Sequence, residues 1–190
     1  MNKMILALII LLAPTFVRAH GSTGEGFLHP LTGLDHLLAM LAVGAWSAQI
    51  GGRAIYMVPS AFVCMMVLGA FIGLEQIHLP YSELGIALSI VLLGAAIAFN
   101  RQAHILIASM GVALFGVFHG FAHGAELPHN ADKIVYVVGF LLTTCSLHAI
   151  GAFATLITLK KTYGKELLKA VGFITLLIGV NFIFLIELKN

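Results

Sequence analysis

Apolar segments of about twenty residues recur along almost the whole chain, separated by short polar or turn-forming stretches. A helix needs about 20 apolar residues to cross a bilayer, so each segment has the length of a membrane span. Of the 190 residues, 60% are hydrophobic and 9% are charged, which is typical of a polytopic membrane protein. We predict an all-α, polytopic membrane helical bundle. Its six spans are expected at residues 31–50, 54–74, 83–99, 103–122, 134–159 and 167–187.

The first residues have the pattern of a secretory signal peptide. A basic residue, Lys3, precedes an apolar stretch, and small residues around Arg18 resemble a cleavage site. We predict that residues 1–19 are removed and that residues 20–190 form a single six-helix transmembrane domain. An uncleaved first helix is the alternative. Cleavage would make His20 the first residue, so its amine and imidazole could chelate one metal ion, although an exposed histidine in a mobile segment fits equally well.

The basic residues predict the orientation of the bundle. If a cleaved signal places the new N-terminus outside, six lysines and arginines lie at the inner loops and two at the outer ones, as the positive-inside rule requires. We therefore predict a multi-pass protein of the inner (plasma) membrane with its mature N-terminus on the periplasmic side. The net charge of +2 is too small to indicate nucleic-acid binding.

Histidines and acids occur within these apolar segments, where ionisable residues are costly and usually mark a functional site. If Pro30 begins the first span, Asp35 and His36 lie roughly 7–9 Å inside it at about 1.5 Å per residue. His29 is two turns before His36 on the same face if the helix extends back that far, so it could pass ions inward. Asp35 could ligate a metal directly or orient a ligating imidazole by accepting its N–H.

The end of the fourth span carries a second group of candidate ligands. His119 and His123 are four residues apart and share one helical face, and Glu126 follows three residues later. Because the first and fourth spans run in opposite directions, these residues can meet Asp35 and His36 near the outer surface. We predict a metal-binding or ion-path role, and a hydrogen-bonded pair that only joins helices is the alternative.

Other residues in the spans support weaker predictions. His148 lies near the middle of the fifth span and is predicted to be the next station for an ion, with a structural hydrogen bond as the alternative. Cys64 and Cys145 lie in apolar segments and are expected to pack as small hydrophobic residues. Glycines recur every four residues beside the second histidine group and predict close approach by another helix; they are Gly116, Gly120 and Gly124.

Three motifs in the chain are similar to those of the HupE/UreJ family of nickel transporters. They are His29-Pro30-x-x-Gly33-x-Asp35-His36, Phe118-His119-Gly120-x-Ala122-His123-Gly124-x-Glu126 and Leu147-His148-x-x-Gly151. The resemblance covers essentially the whole mature chain. It implies an inner-membrane permease of nickel or cobalt that supplies metalloenzymes such as hydrogenase and urease. It also implies permeation or binding roles for Asp35, His36, His119, His123 and Glu126.

The predicted function is a permease for a divalent transition metal and not an enzyme, with no prosthetic group and with a homo-oligomer as one possible assembly. Imidazole and oxygen ligands suit nickel, cobalt, zinc and copper alike, so zinc and copper stay open as cargo. Metal ligation needs neutral imidazole, whose unperturbed pKa is near 6.5, so acid should weaken uptake.

Two other classes of protein are compatible with buried histidines. One is a zinc-dependent intramembrane hydrolase, in which Asp35 or Glu126 would activate a zinc-bound water. Against it, Gly120 stands where the metalloprotease helix motif has its glutamate. The other is a haem-carrying electron-transfer subunit with paired axial histidines.

Overall fold

Every regular element in residues 25–127 and 131–188, the part of the chain that this computed structural model describes, is an α-helix. The predicted all-α class is therefore confirmed. The predicted signal peptide and His20 lie outside these residues. The helices are α1 (Glu25–Thr32), α2 (Leu34–Ile50), α3 (Ala54–Leu74), α4 (Ser82–Ala98), α5 (Ile105–Ala125), α6 (Lys133–Leu159) and α7 (Gly164–Glu187).

Four of these helices are long and apolar enough to cross a membrane. They are α3 and α5 with 21 residues each, α6 with 27 and α7 with 24. The apolar helices α2 and α4 have 17 residues each, which makes each about 25 Å long at 1.5 Å per residue. Helices α2 to α7 thus correspond to the six predicted spans, as expected for a membrane bundle.

The first predicted span is divided at Gly33. The prediction that its helix begins at Pro30 is wrong, because Pro30 lies inside α1 and α2 begins only at Leu34. Gly33 is extended (φ −82°, ψ 110°), and glycine is a poor helix former, so the helix is interrupted there. Asp35 and His36 therefore lie in the first turn of α2. The continuous helix that would put His29 and His36 on one face is interrupted at Gly33.

Close backbone contact joins α5 to α3. Each of the three glycines spaced by four residues on α5 faces the backbone of α3, and a Cβ atom at Gly120 would overlap the Met66 carbonyl. The predicted close approach of a helix to this stripe is therefore confirmed. Since the histidines of α5 lie on the neighbouring stripe, this contact fixes how far they stand from α3.

Glycines also set the other two main helix pairs. Gly44 of α2 lies against the His148 carbonyl of α6, and Gly172 of α7 lies against the backbone of α4 at Ala98. In a bilayer, where lipid is as apolar as the helices, such small-residue contacts supply much of the packing energy. The bundle is built from the pairs α3–α5, α2–α6 and α4–α7.

Hydrogen bonds tie the end of α2 to the connection between α4 and α5. Trp46 Nε1 donates to the Arg101 carbonyl at 2.9 Å, and Gln102 Nε2 donates to the Gln49 carbonyl at 3.2 Å. Gln49 Nε2 in turn donates to the Ile97 carbonyl at 3.3 Å. These bonds anchor α2 at the end opposite to Asp35 and His36.

Candidate metal-binding site

Three histidines from two helices meet at the end of the bundle where α2 begins and α5 ends. The His36 ring centroid lies 4.9 Å from that of His119 and 4.6 Å from that of His123, with the rings edge to face in both pairs. His119 and His123 are completely buried, and His36 is 6% exposed. We call these three residues the histidine cluster.

Helix geometry explains why the three rings share one place. His119 and His123 lie in the last two turns of α5, and their spacing of four residues puts both on one face. This helix continues to Ala125, three residues beyond the predicted end, so His123 is part of it. The opposite direction of α2 brings its first turn, with His36, to the same level.

Asp35 contacts His36 through both side chain and backbone. Its Oδ1 atom lies 3.0 Å from His36 Nδ1 and accepts a hydrogen bond from the His36 backbone N–H at 2.9 Å. An ionised carboxylate only accepts hydrogen bonds, so Nδ1–H is the donor and, in the neutral ring, Nε2 carries the lone pair. The Asp35 side chain is 37% exposed, at the rim of the cluster.

Glu126 lies at the same rim. It directly follows the last residue of α5, is exposed, and interacts electrostatically with His36. The two carboxylates thus come from the start of α2 and from the residue after α5, and both interact electrostatically with His36. Together they give this end of the cluster negative charge.

Three contact residues of the cluster were not singled out from the sequence. Ser89 Oγ of α4 lies 3.0 Å from His119 Nε2, and the Phe140 ring of α6 stacks on the His123 ring at 4.8 Å. The Phe62 ring of α3 lies 5.4 Å from the His119 ring. Serine and phenylalanine are ordinary residues of apolar helices, so nothing in the sequence marks these positions.

His148 does not join the cluster. The residue is 3% exposed, and its ring centroid lies 5.2 Å from that of Phe62, with the two rings edge to face. Neither ring nitrogen of His148 has a hydrogen-bond partner among the described residues. The predicted structural hydrogen bond, which was the alternative for this residue, is thus not formed there.

His148 also lines a lateral cavity of about 630 Å³ between α3 and α6. Cys64 and Cys145 line the same cavity, and both are free thiols exposed on the side of the bundle. Both cysteines therefore lie on the surface of the bundle, and their packing as small hydrophobic residues stays a prediction. An apolar helix has the same hydropathy on every side, so the sequence gives no sign of which face turns outward.

The histidine cluster is compact, but it is not a ready-made coordination shell. In the described ranges, no three histidine, cysteine, aspartate or glutamate side chains are arranged to hold a metal ion. The imidazoles touch edge to face, whereas metal ligation requires nitrogens about 2.0–2.1 Å from a shared ion. Of the other predicted ligands, His20 lies outside the described residues, and so does the side chain of His29.

Apolar helices of spanning length, packed around buried imidazoles, define a multi-pass helical membrane protein. The family model described as HupE / UreJ protein matches residues 3–182. Protein HupE of Rhizobium leguminosarum bv. viciae is 41% identical over 155 residues, which cover 79% of this chain and 81% of that protein. The chain belongs to the HupE/UreJ family, whose members are transporters of the nickel/cobalt type and not enzymes. No solved structure matches it significantly.

Family membership confirms the resemblance seen in the motifs and the prediction that the protein is not an enzyme. The hydrolase alternative is set aside for the same reason. Metal transport across a membrane is the general function of the family. The choice of metal, the roles of the individual residues and the direction of the chain in the membrane are separate questions.

Proposed function

We propose that the protein is an inner-membrane permease for a divalent transition metal, with nickel as its main cargo and cobalt as a second. The observation that carries the proposal is the burial of His36, His119 and His123 together inside an apolar bundle. Buried histidines are costly in a membrane and are retained for function. Imidazole is also a preferred ligand of nickel and cobalt.

Capture of the ion begins at the rim. The carboxylates of Asp35 and Glu126 attract a hydrated cation to the mouth of the cluster, on the periplasmic side of the membrane. His29 and, after signal cleavage, the amine and imidazole of His20 assist capture when metal is scarce. Asp35 then acts by orienting His36, because its carboxylate holds Nδ1–H and leaves Nε2 for the metal.

In the cluster, imidazole nitrogens replace water molecules around the ion. Because the rings touch before the ion arrives, they must rotate apart to bind it, and part of the binding free energy is spent on that movement. A site that is assembled only on binding holds its ion less tightly than a preformed one. Moderate affinity suits a permease, since an ion has to leave the site as well as enter it.

The route from the cluster leads along α6. Thr144 Oγ1 and both ring nitrogens of His148 are buried polar atoms without hydrogen-bond partners among the described residues, and they lie one helical turn apart. Buried polar groups normally have partners, so such atoms indicate a place for a transient ligand. The Phe62 ring contacts both the His119 ring and the His148 ring, so His148 is proposed as a second station next to the cluster.

Uptake of radioactive nickel into proteoliposomes tests the proposal. We expect saturable uptake by the purified protein that cobalt inhibits more strongly than zinc or magnesium. His123→Ala should abolish it while the protein still inserts into the membrane. The matched control is His78→Ala, which removes an exposed histidine from the loop between α3 and α4 and should leave uptake unchanged.

Normal nickel uptake by a well-inserted His123→Ala protein would contradict the proposed role of the cluster. Failure of the wild-type protein to move any divalent metal would contradict the proposal as a whole. An absorption spectrum of the purified protein checks the separate prediction that it carries no haem or other coloured prosthetic group.

A further inference from the structure

A serine hydroxyl contacts one histidine of the cluster. Ser89 lies on α4, which carries none of the ligands expected from the sequence, and it is completely buried. Its Oγ atom lies 2.6 Å from the Ile86 carbonyl oxygen, one helical turn earlier, and 3.0 Å from His119 Nε2. The hydroxyl is therefore shared between a backbone acceptor and an imidazole.

The position of the hydroxyl proton follows from the two distances. A carbonyl oxygen has no proton to donate, so the proton between two oxygens 2.6 Å apart must come from Ser89. A serine hydroxyl has only one proton, and here the Ile86 carbonyl receives it. Toward His119 the hydroxyl presents lone pairs only, and the Nε2–H of His119 is the donor in that contact.

This proton count selects the tautomer of His119. A neutral imidazole carries one N–H, so a proton on Nε2 leaves a free lone pair on Nδ1. The Nδ1 atom is buried and has no hydrogen-bond partner among the described residues. The opposite tautomer would bury an Nδ1–H without an acceptor and would leave the 2.6 Å contact without its proton.

We propose that Ser89 is a positioning residue that holds His119 in the Nε2–H tautomer, and that Nδ1 is the atom through which His119 binds the transported metal. The inference rests on the proposed function of the histidine cluster and names the donor atom at one of its members. It also assigns α4 a part in the site. Partners that fix the tautomer of a metal-binding imidazole commonly change metal affinity about 10–100-fold when they are removed.

Nitrogen-15 NMR of the protein labelled in its histidines tests the tautomer directly, because protonated and unprotonated ring nitrogens resonate far apart. The His119 signals are assigned by their loss in His119→Gln. In the metal-free wild-type protein at neutral pH, we expect the proton on Nε2. Addition of Ni²⁺ should broaden the Nδ1 signal of His119 first.

Ser89→Ala should leave His119 without a fixed tautomer and weaken apparent Ni²⁺ affinity about 10–100-fold. Ser89→Thr keeps a hydroxyl that can bond the preceding turn, so it should restore both properties. Ser47→Ala is the matched control. Ser47 is also completely buried and donates to a carbonyl one turn earlier, that of Gly44, at 2.7 Å on the far half of α2. Its loss should change neither the His119 spectrum nor the affinity.

A proton on Nδ1 of His119 in the wild-type protein would overturn the inference, and this measurement does not depend on whether any variant folds. Unchanged tautomer and affinity in a folded Ser89→Ala protein would overturn it as well. If instead His119→Gln transports nickel normally, the proposed role of the cluster fails. The two results are distinguishable, since the first concerns the proton on a ring and the second concerns flux.

Discussion

At the scale of single residues, the site depends on which nitrogen of each imidazole ring carries the proton. His36 gives Nδ1–H to Asp35, and His119 gives Nε2–H to Ser89, so the two imidazoles offer different nitrogens. Carboxylate and hydroxyl partners thus act on rings that come from different helices. Since ring orientation decides whether nitrogens can converge on one ion, these partners are as important as the rings.

Replacement of Asp35 by asparagine tests this view of His36. The amide has nearly the same shape as the carboxylate but lacks its charge. It therefore accepts the Nδ1–H of His36 more weakly, and the substitution also removes a negative charge that attracts cations. We expect the KM for nickel uptake to rise about 10–100-fold. Initial rates of uptake over a range of nickel concentrations measure the change.

Asp132→Asn is the control for that variant. Asp132 caps the N-terminus of α6 by accepting hydrogen bonds from the backbone N–H groups of Ile134 and Val135 at 2.9 and 3.0 Å. Asparagine caps helices about as well as aspartate, so uptake should be unchanged. Equal KM values for both variants and the wild type would exclude a role for the Asp35 charge.

At the scale of helices, the contact between α3 and α5 sets the width of the site. Backbone touches backbone there, because glycines of α5 leave room for carbonyls of α3. His119, on the next stripe of α5, is thereby held against Phe62 of α3. A change in how α3 packs against α5 should therefore also change the geometry of the histidine cluster.

A methyl group at Gly120 should separate these two helices. Its Cβ would overlap the backbone carbonyl of Met66, which cannot move aside as a flexible side chain can. We expect Gly120→Ala to destabilise the protein by about 1–3 kcal/mol or more and to reduce nickel uptake. Thermal unfolding in detergent measures the first effect, and proteoliposome flux measures the second.

Gly111→Ala provides the comparison on the same helix. A Cβ at Gly111 meets no atom within 4 Å, and alanine is the better helix former, so stability should be equal or slightly higher. If both alanine variants behaved alike, close approach at Gly120 would not be what holds α3 and α5 together.

At the scale of the whole molecule, the histidine cluster and a group of four lysines lie at opposite ends of the bundle. The histidine cluster lies where α2 begins, and the lysines at positions 160, 161, 165 and 169 lie around the α6–α7 connection at the other end. From the positive-inside rule we expect the cluster to face the periplasm. In that orientation the cluster would be the entrance for the ion and the lysine-rich end the exit.

Labelling of engineered cysteines with a membrane-impermeant thiol reagent checks the orientation. In intact cells, we expect His78→Cys to be labelled and Lys161→Cys to be labelled only after the membrane is opened. Both positions are exposed in connections between helices, so access to the reagent and not burial decides the result. The reverse pattern would place the histidine cluster at the cytoplasmic side.

The pH dependence of uptake follows from the same cluster. A protonated imidazole has no lone pair for a metal, so protons compete with the ion for the site. We expect nickel uptake to fall as the external pH is lowered from about 7.5 to about 5.5, the range in which histidines commonly change charge. Uptake that rises on acidification would instead indicate coupling to proton entry.

Much of the architecture could be predicted because hydropathy is a local property of the chain. The six spans, the spacing of His119 and His123, and the glycine stripe on α5 are all visible within a single segment. The interruption at Gly33 was missed because Pro30 also fits the first turn of a helix, and only the backbone conformation distinguishes the two readings. Contacts between residues of different segments depend on how the helices rotate and pack, and the hydropathy of a single segment does not show them.

The sequence by itself determined that the chain forms a bundle of membrane helices and which residues are unusual in it. Only the tertiary structure decided how closely the His36 ring approaches those of His119 and His123, that Ser89 and Phe62 touch His119, and that the His148 ring contacts Phe62. The physical reason is helix rotation. A helix that is apolar on every side has no polar stripe to show which face turns inward, so close packing between helices makes that choice.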